Sequence, residues 1–136
     1  MKRYAILCGS AKEDYEQTKI SLMHEKLLAD GWAENEITIF PNGVNELLLE
    51  YALNNCVEHN NCVEQSGVKI FLYICALSQD CIKDDCITLG NDEIRKSVIA
   101  HYAAVAEKVG AEMQAVYDWD GELIAEESLG WERVEA

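Results

Sequence analysis

The chain is expected to form a three-layer α/β sandwich: a mostly parallel sheet, helices on both faces, and a hairpin towards the C-terminal end. Three observations lead there. Ile70 to Leu77 is an unbroken apolar run bounded by Lys69 and Ser78, too short to span a membrane and too continuous for a half-exposed strand. It reads as a strand buried on both faces, the mark of a parallel sheet covered by helices. Strand-like and helix-like segments alternate as β-α-β-α-β-(β)-α-β-β, the order that parallel strands and right-handed crossovers generate. Gly31 and Gly110 stand where two helical patterns stop, as C-terminal capping glycines do.

Taken in order, Tyr4 to Cys8 is a first buried strand closed by Gly9-Ser10. A helix is expected from about Asp14 to Asp30, with Asp14 as cap, Gln17 in capping-box position, and Ile20, Met23, His24 and Leu27 on one face. Ile37 to Phe40 is a short second strand ended by Pro41-Asn42-Gly43. Val44, Leu47, Leu48 and Tyr51 mark the buried face of a second helix running to about Val57, and His59 to Gly67 reads as a polar loop. After the central strand, Cys81 to Cys86 is an acidic excursion and Ile87 to Leu89 a brief strand. Asn91 is expected to cap a third helix buried through Ile94, Val98, Tyr102, Val105 and Val109. Met113 to Tyr117 alternates between apolar and polar positions and suits a half-exposed or edge strand, which offers a pairing edge for a second copy. Asp120-Gly121 favours a turn into a final strand at Glu122 to Ala125. Leu129 and Trp131 are expected to anchor the acidic tail.

A chain of 136 residues forms one domain by length, and no internal boundary breaks residues 1–136. Its 25 acidic and 11 basic residues leave a net charge of −14. Nucleic acid and anionic membrane surfaces are therefore excluded as partners, whereas a basic protein or a cation is admitted. The partner, whether a protein or a small molecule, is not specified by the residues. No apolar segment is long enough for a transmembrane helix or the core of a signal peptide, so the expected setting is the cytoplasm. The six cysteines are expected to be thiols there.

Several segments together resemble the caspase-like superfamily of caspases, metacaspases and legumains. They are RYAILCGS (3–10), LLADGWAENEITIF (27–40), NELLLEYALNN (45–55), VKIFLYICA (68–76), CITLGNDEIRKSVIAHY (86–102) and AEMQAVYDWDG (111–121). The resemblance implies a cysteine-peptidase fold whose third strand ends in a His-Gly pair and whose fourth ends in an Asp-x-Cys segment. Here the first place reads Ala76-Leu77-Ser78-Gln79. The second reads Asp118-Trp119-Asp120, so the aspartate matches and the cysteine does not. A thiolate nucleophile and a positioned base are the minimum for that chemistry. The chain therefore resembles a pseudoenzyme of the superfamily, an interaction module with no catalytic residues. The alternative is a small flavodoxin-like enzyme or ligand-binding protein with its site at the carboxyl ends of the strands.

Candidate sites follow from position and residue type, and each has a plainer structural reading. Gly9, Ser10, Ser78, Asp80, Asp118 and Asp120 follow strand ends and are the ligand-binding candidates. As an anion cradle the Gly9-Ser10 turn is opposed by Glu13, Asp14 and Glu16 at the start of the next helix. Asp80, Asp84, Asp85, Asp92, Asp118 and Asp120 supply oxygen ligands of the kind Mg²⁺ or Ca²⁺ takes, but helix capping and turn chemistry explain most of them. Cys56, His59 and Cys62 form a C-x₂-H-x₂-C set that Cys75, Cys81 or Cys86 would complete for zinc, although the spacing is not that of a standard knuckle. Cys8 and Cys75 read as inert core thiols in this acidic, apolar setting, and Asp84 and Asp85 oppose thiolate chemistry at Cys81 and Cys86. His24 reads as semi-buried and His101 as exposed. No cofactor is called for by these residues.

Overall fold

The structure, a computed structural model, describes residues 3–9, 19–40, 44–62, 68–76, 78–89, 92–119 and 132–135. Four parallel strands, β1 (Arg3–Gly9), β2 (Ile37–Phe40), β3 (Lys69–Ala76) and β6 (Glu112–Trp119), are extended by the antiparallel strand β7 (Glu132–Glu135) in the order β2-β1-β3-β6-β7. A separate antiparallel hairpin is formed by β4 (Cys86–Leu89) and β5 (Asp92–Arg95). The helices are α1 (Lys19–Ala29), α2 (Glu46–Cys62) and α3 (Lys96–Lys108). This is the α/β sandwich the alternation foretold, with the apolar run as its central parallel strand. Successive parallel strands lie β2-β1-β3-β6, so the chain reverses its direction of travel across the sheet between β1 and β3. That reversal is the topological switch point of a doubly wound sheet.

Two cores flank the sheet. On one face Ala5, Leu7, Tyr73, Cys75 and Val116 meet Ile20, Met23 and Leu27 of α1, with Trp32, Ile37 and Ile39 at the margin. On the other, Ile6, Cys8, Ile70, Leu72, Ile74, Met113, Ala115 and Tyr117 meet α2, α3 and the β4–β5 hairpin. One helix thus covers the first face and two cover the second, as right-handed crossovers on either side of β1 require.

The glycine stops take a well-defined form. Gly31 has φ +97°; its N–H donates to the Leu28 carbonyl at 3.1 Å and the Trp32 N–H to the Leu27 carbonyl at 3.0 Å. Gly110, φ +86°, repeats the pair with Glu107 and Ala106 through its own N–H and that of Ala111. Both are Schellman motifs, in which a residue without Cβ accepts the left-handed conformation and satisfies the last carbonyls. Arg3 reinforces the first: it donates to the Gly31 carbonyl at 2.7 Å, pairs with Glu36, and lies 4.4 Å over the Trp32 ring.

Four local expectations are corrected. The buried stripe of α2 is Leu49, Leu53, Cys56 and Val57, preceded by Val44, while Leu47, Leu48 and Tyr51 are exposed. Asn45 sets that phase by capping the helix: its Oδ1 accepts from the Leu48 N–H at 2.8 Å and its carbonyl from the Leu49 N–H at 3.1 Å. The helix also continues through His59 to Cys62, where a loop was expected. Asp92 to Arg95 is strand rather than the first turn of α3, so Ile94 is buried from β5, and the buried face of α3 is Ile99, Ala103 and Ala106. Finally, β6 is not an edge, because β7 occupies its outer side with Ala115 opposite Val134. The described strand that pairs antiparallel with β6 is Glu132–Glu135. Asp14 and Gln17, the Asn91 cap, the proposed turn and strand at residues 120–125, and Leu129 and Trp131 lie outside the described residues.

Candidate functional site

The carboxyl edge of the sheet is where this fold locates ligand chemistry, and the register defines what stands there. Gly9, Cys75 and Asp118 lie abreast on β1, β3 and β6, on the α1 face. One step below them are Leu7, Tyr73 and Val116, and on the opposite face Cys8 lies abreast of Ile74 and Tyr117.

Asp118 is the centre of this edge. It is fully buried, and both of its oxygens are engaged: the Tyr73 hydroxyl donates to Oδ2 at 2.6 Å and the Trp119 N–H to Oδ1 at 2.8 Å. The preference of buried polar groups for partners explains the arrangement. Tyr73 carries the one hydroxyl of its strand, and it is directed at the buried carboxylate of the neighbouring strand. Burial, the Cys75 thiol and Asp118 together hold the Tyr73 phenol well above its ordinary range. Sequence reading singled out Asp118 by its place at a strand end but passed over Tyr73. The available signal was a tyrosine inside an apolar run, which needs a partner for its hydroxyl when buried.

The thiols at this edge are closed off. Cys8 and Cys75 are fully buried, and Cys75 donates to the Ala76 carbonyl at 3.7 Å. Burial pushes the Cys8 thiol far above its ordinary range. Cys86 is raised by burial and by Glu93 and Asp85, so the acidic neighbours act on it in the expected direction. A nucleophilic thiolate needs the opposite surroundings.

The remaining candidates disperse. Ser78 and Asp80 are exposed around the short 3₁₀ turn Gln79–Cys81, and the Ser78 hydroxyl faces the Cys81 sulfur at 3.6 Å. Gly9 closes β1 at the switch point, whereas Ser10 and Asp120 lie outside the described residues. Cys56 belongs to the core under α2, its thiol pushed up to about 11 by burial. His59 and Cys62 follow it on helical backbone, which at 1.5 Å per residue places Cys56 and Cys62 about 9 Å apart along the axis. The side chains of His59 and Cys62 lie outside the described ones. Among the described residues no group of three or more His, Cys, Asp or Glu side chains is arranged to hold a metal ion. His24 is tied to Glu34 near the amino end of β2, and His101 is exposed against the Tyr102 ring, so neither serves the carboxyl edge.

A second feature lies on the α2–α3 face at the β2 side. There α2 leaves part of the sheet open, and a trough of about 650 Å³ runs between helix and edge strand. Its floor includes Tyr4, Ile6, Thr38 and Phe40, and its wall Leu48, Tyr51, Ala52 and Asn55. Among the described residues no helix is long and apolar enough to cross a membrane. No protein-family model, curated protein or solved structure matches the chain.

Proposed function

We propose that this protein is a non-catalytic interaction module built on a caspase-like α/β domain. One observation carries the reading: at the strand ends where the superfamily's chemistry belongs, the buried thiols and the central carboxylate are already committed. By the resemblance the histidine place falls in Ala76-Leu77-Ser78-Gln79, which holds no histidine, while Cys8 and Cys75 are sealed and the Asp118 carboxylate is bonded on both oxygens. A hydrolytic dyad needs an accessible thiol and a base within hydrogen-bond reach. The free state of Cys8, Cys56, Cys75, Cys81 and Cys86 supports a cytoplasmic setting, since exported proteins pair their thiols.

The second reading, a flavodoxin-like ligand-binding protein, draws support from the β1–β3 switch point, with Gly9 at the end of β1. Incubation with a mixture-based peptide library, followed by mass spectrometry, tests the first reading. Intact peptides are expected; cleavage that disappears in Cys8→Ala or Cys75→Ala would overturn it. A thermal-shift screen of nucleotides, flavins and divalent ions separates the two, because a ligand that binds the folded state raises its melting temperature. A flat response is expected, and a saturable shift with any of these compounds transfers the assignment to the second reading.

A further inference from the structure

We propose that the trough between α2 and the edge strand β2 is a docking site for a basic, extended peptide segment, which adds to β2 as a further strand. The proposal rests on the reading of the chain as an interaction module and assigns the surface that would do the interacting.

The first support is an apolar excess confined to one turn of helix. Large hydrophobic side chains exposed among the described residues are Leu22, Leu28, Leu47, Leu48 and Tyr51, and three of these five fall between residues 47 and 51. Tyr51 is 67% exposed and Leu48 49%, and the pair, three residues apart, line one wall of the trough. The helix has no need of them for its own packing, since Leu49, Leu53, Cys56 and Val57 fill the core. Contiguous exposed apolar surface of this kind marks an interaction site.

The second support is the edge. β2 pairs with β1 on one side and with no described strand on the other. Its sequence, Ile-Thr-Ile-Phe, is strongly strand-forming and has none of the lysines, prolines or inward charges by which exposed edges are commonly protected. An added strand takes its affinity from main-chain hydrogen bonds along β2 and its selectivity from alternate side chains. Those on one face would enter the trough against Phe40, Leu48 and Tyr51.

Charge chooses the occupant. With a net charge of −14, a second copy of this chain or an acidic segment would approach against like charge. Among the described residues the charged side chain lining the trough is Glu36, held by Arg3, and Glu34 next to it is exposed and paired with His24. A segment alternating apolar and cationic residues satisfies both faces of the added strand: apolar into the trough, cationic towards the acidic surface and solvent.

The test uses the full chain and a short amidated peptide in which arginine and valine alternate, labelled for fluorescence anisotropy. Saturable binding is expected, with a loss of about tenfold in Tyr51→Ala and more in Leu48→Lys, and no change in Leu22→Ala on α1. N-methylation of alternate amides in the peptide is expected to abolish binding when it falls on the edge facing β2, and not in the other register. No binding by the arginine peptide, equal binding by a glutamate–valine peptide, or tolerance of both methylation registers overturns the proposal. Binding that persists in Tyr51→Ala and Leu48→Lys overturns it as well, while leaving the module reading intact. Cleavage of the peptide overturns the module reading itself. A dimer in light scattering that Tyr51→Ala dissolves would make a second copy the occupant and refute the basic peptide.

Discussion

The carboxyl edge of the sheet and the β2–α2 flank are opposites in how completely their groups are satisfied. At the edge, the polar groups around Asp118 and Cys75 are bonded within the protein: Tyr73 to Asp118, Trp119 to Asp118, Cys75 to the Ala76 carbonyl. At the flank, apolar side chains face solvent beside a strand that, among the described residues, pairs on one side. A region whose groups already have partners contributes stability, whereas a region that leaves them without is where a partner gains most. A doubly wound sheet is expected to hold ligands at the carboxyl ends of its strands; the binding surface proposed above lies on its lateral flank instead.

Helix α2 contains this contrast within two neighbouring residues, and the largest predicted effect comes from there. Leu49 is fully buried, so Leu49→Ala is expected to cost about 4 kcal/mol through lost transfer energy and the cavity left behind. Leu48→Ala, one residue away and half-exposed, should change stability by about 0.5 kcal/mol or less. Urea unfolding of the two variants measures both. Similar costs at the two positions would mean that the flank is packed rather than open, and the comparison would fail.

That helix also explains why the sequence was legible in some places and not in others. The buried strands β1 and β3 and the capping glycines were readable because each rests on a strong local signal: a continuous apolar run, or a Gly where only a left-handed residue fits. The phase of α2 was not readable from periodicity. Val44, Leu47, Leu48, Leu49, Tyr51 and Leu53 surround the helix with apolar side chains, and the choice between faces is made by the Asn45 cap and by the sheet beneath. The β4–β5 hairpin was missed for a different reason. Asp-Glu-Ile-Arg has little strand character of its own, and tertiary pairing with Cys86–Leu89 overrides propensity there. Between the two stands Gly90-Asn91, a hairpin signal whose Asn91 suits a helix N-cap as well. Asp118 was visible as a strand-end residue, but its role was not, because its partner Tyr73 is 45 residues away in sequence.

Breaking the saturated edge should cost somewhat less than emptying the core. Asp118→Ala removes the acceptor for both the Tyr73 hydroxyl and the Trp119 N–H, and the expected loss is about 3 kcal/mol for two donors deprived of their partner. Tyr73→Phe should be milder, near 1 kcal/mol, because the Trp119 N–H keeps its bond to Asp118. A smaller loss in Asp118→Ala than in Tyr73→Phe would show that the carboxylate is a burden relieved by its removal, and the edge could no longer be described as satisfied.

The thiols sharpen the comparison at alkaline pH, with the smallest signal. Cys8 lies under the edge and Cys56 beside the trough, and burial raises both above the ordinary value of 9.0, Cys56 to about 11 and Cys8 further. A raised pKa in the folded state means that the unfolded chain releases its proton first. The associated stability is therefore complete below pH 9.0 and falls as pH climbs from there through the folded value. The urea midpoint should decline steadily between pH 9.0 and about 11. The Cys86 thiol, raised by burial and by Glu93 and Asp85, and the Tyr4 phenol, raised by burial and by Cys56, add slope of the same sign. Cys56→Ala should lessen the decline within that window, because both its own linkage and its effect on Tyr4 disappear. Thiolate absorbance of the folded protein near the top of the window separates the two regions: it should fall in Cys56→Ala and stay unchanged in Cys8→Ala. Equal loss of absorbance in the two variants would place Cys8 within reach of hydroxide, and the edge would then be as open as the flank.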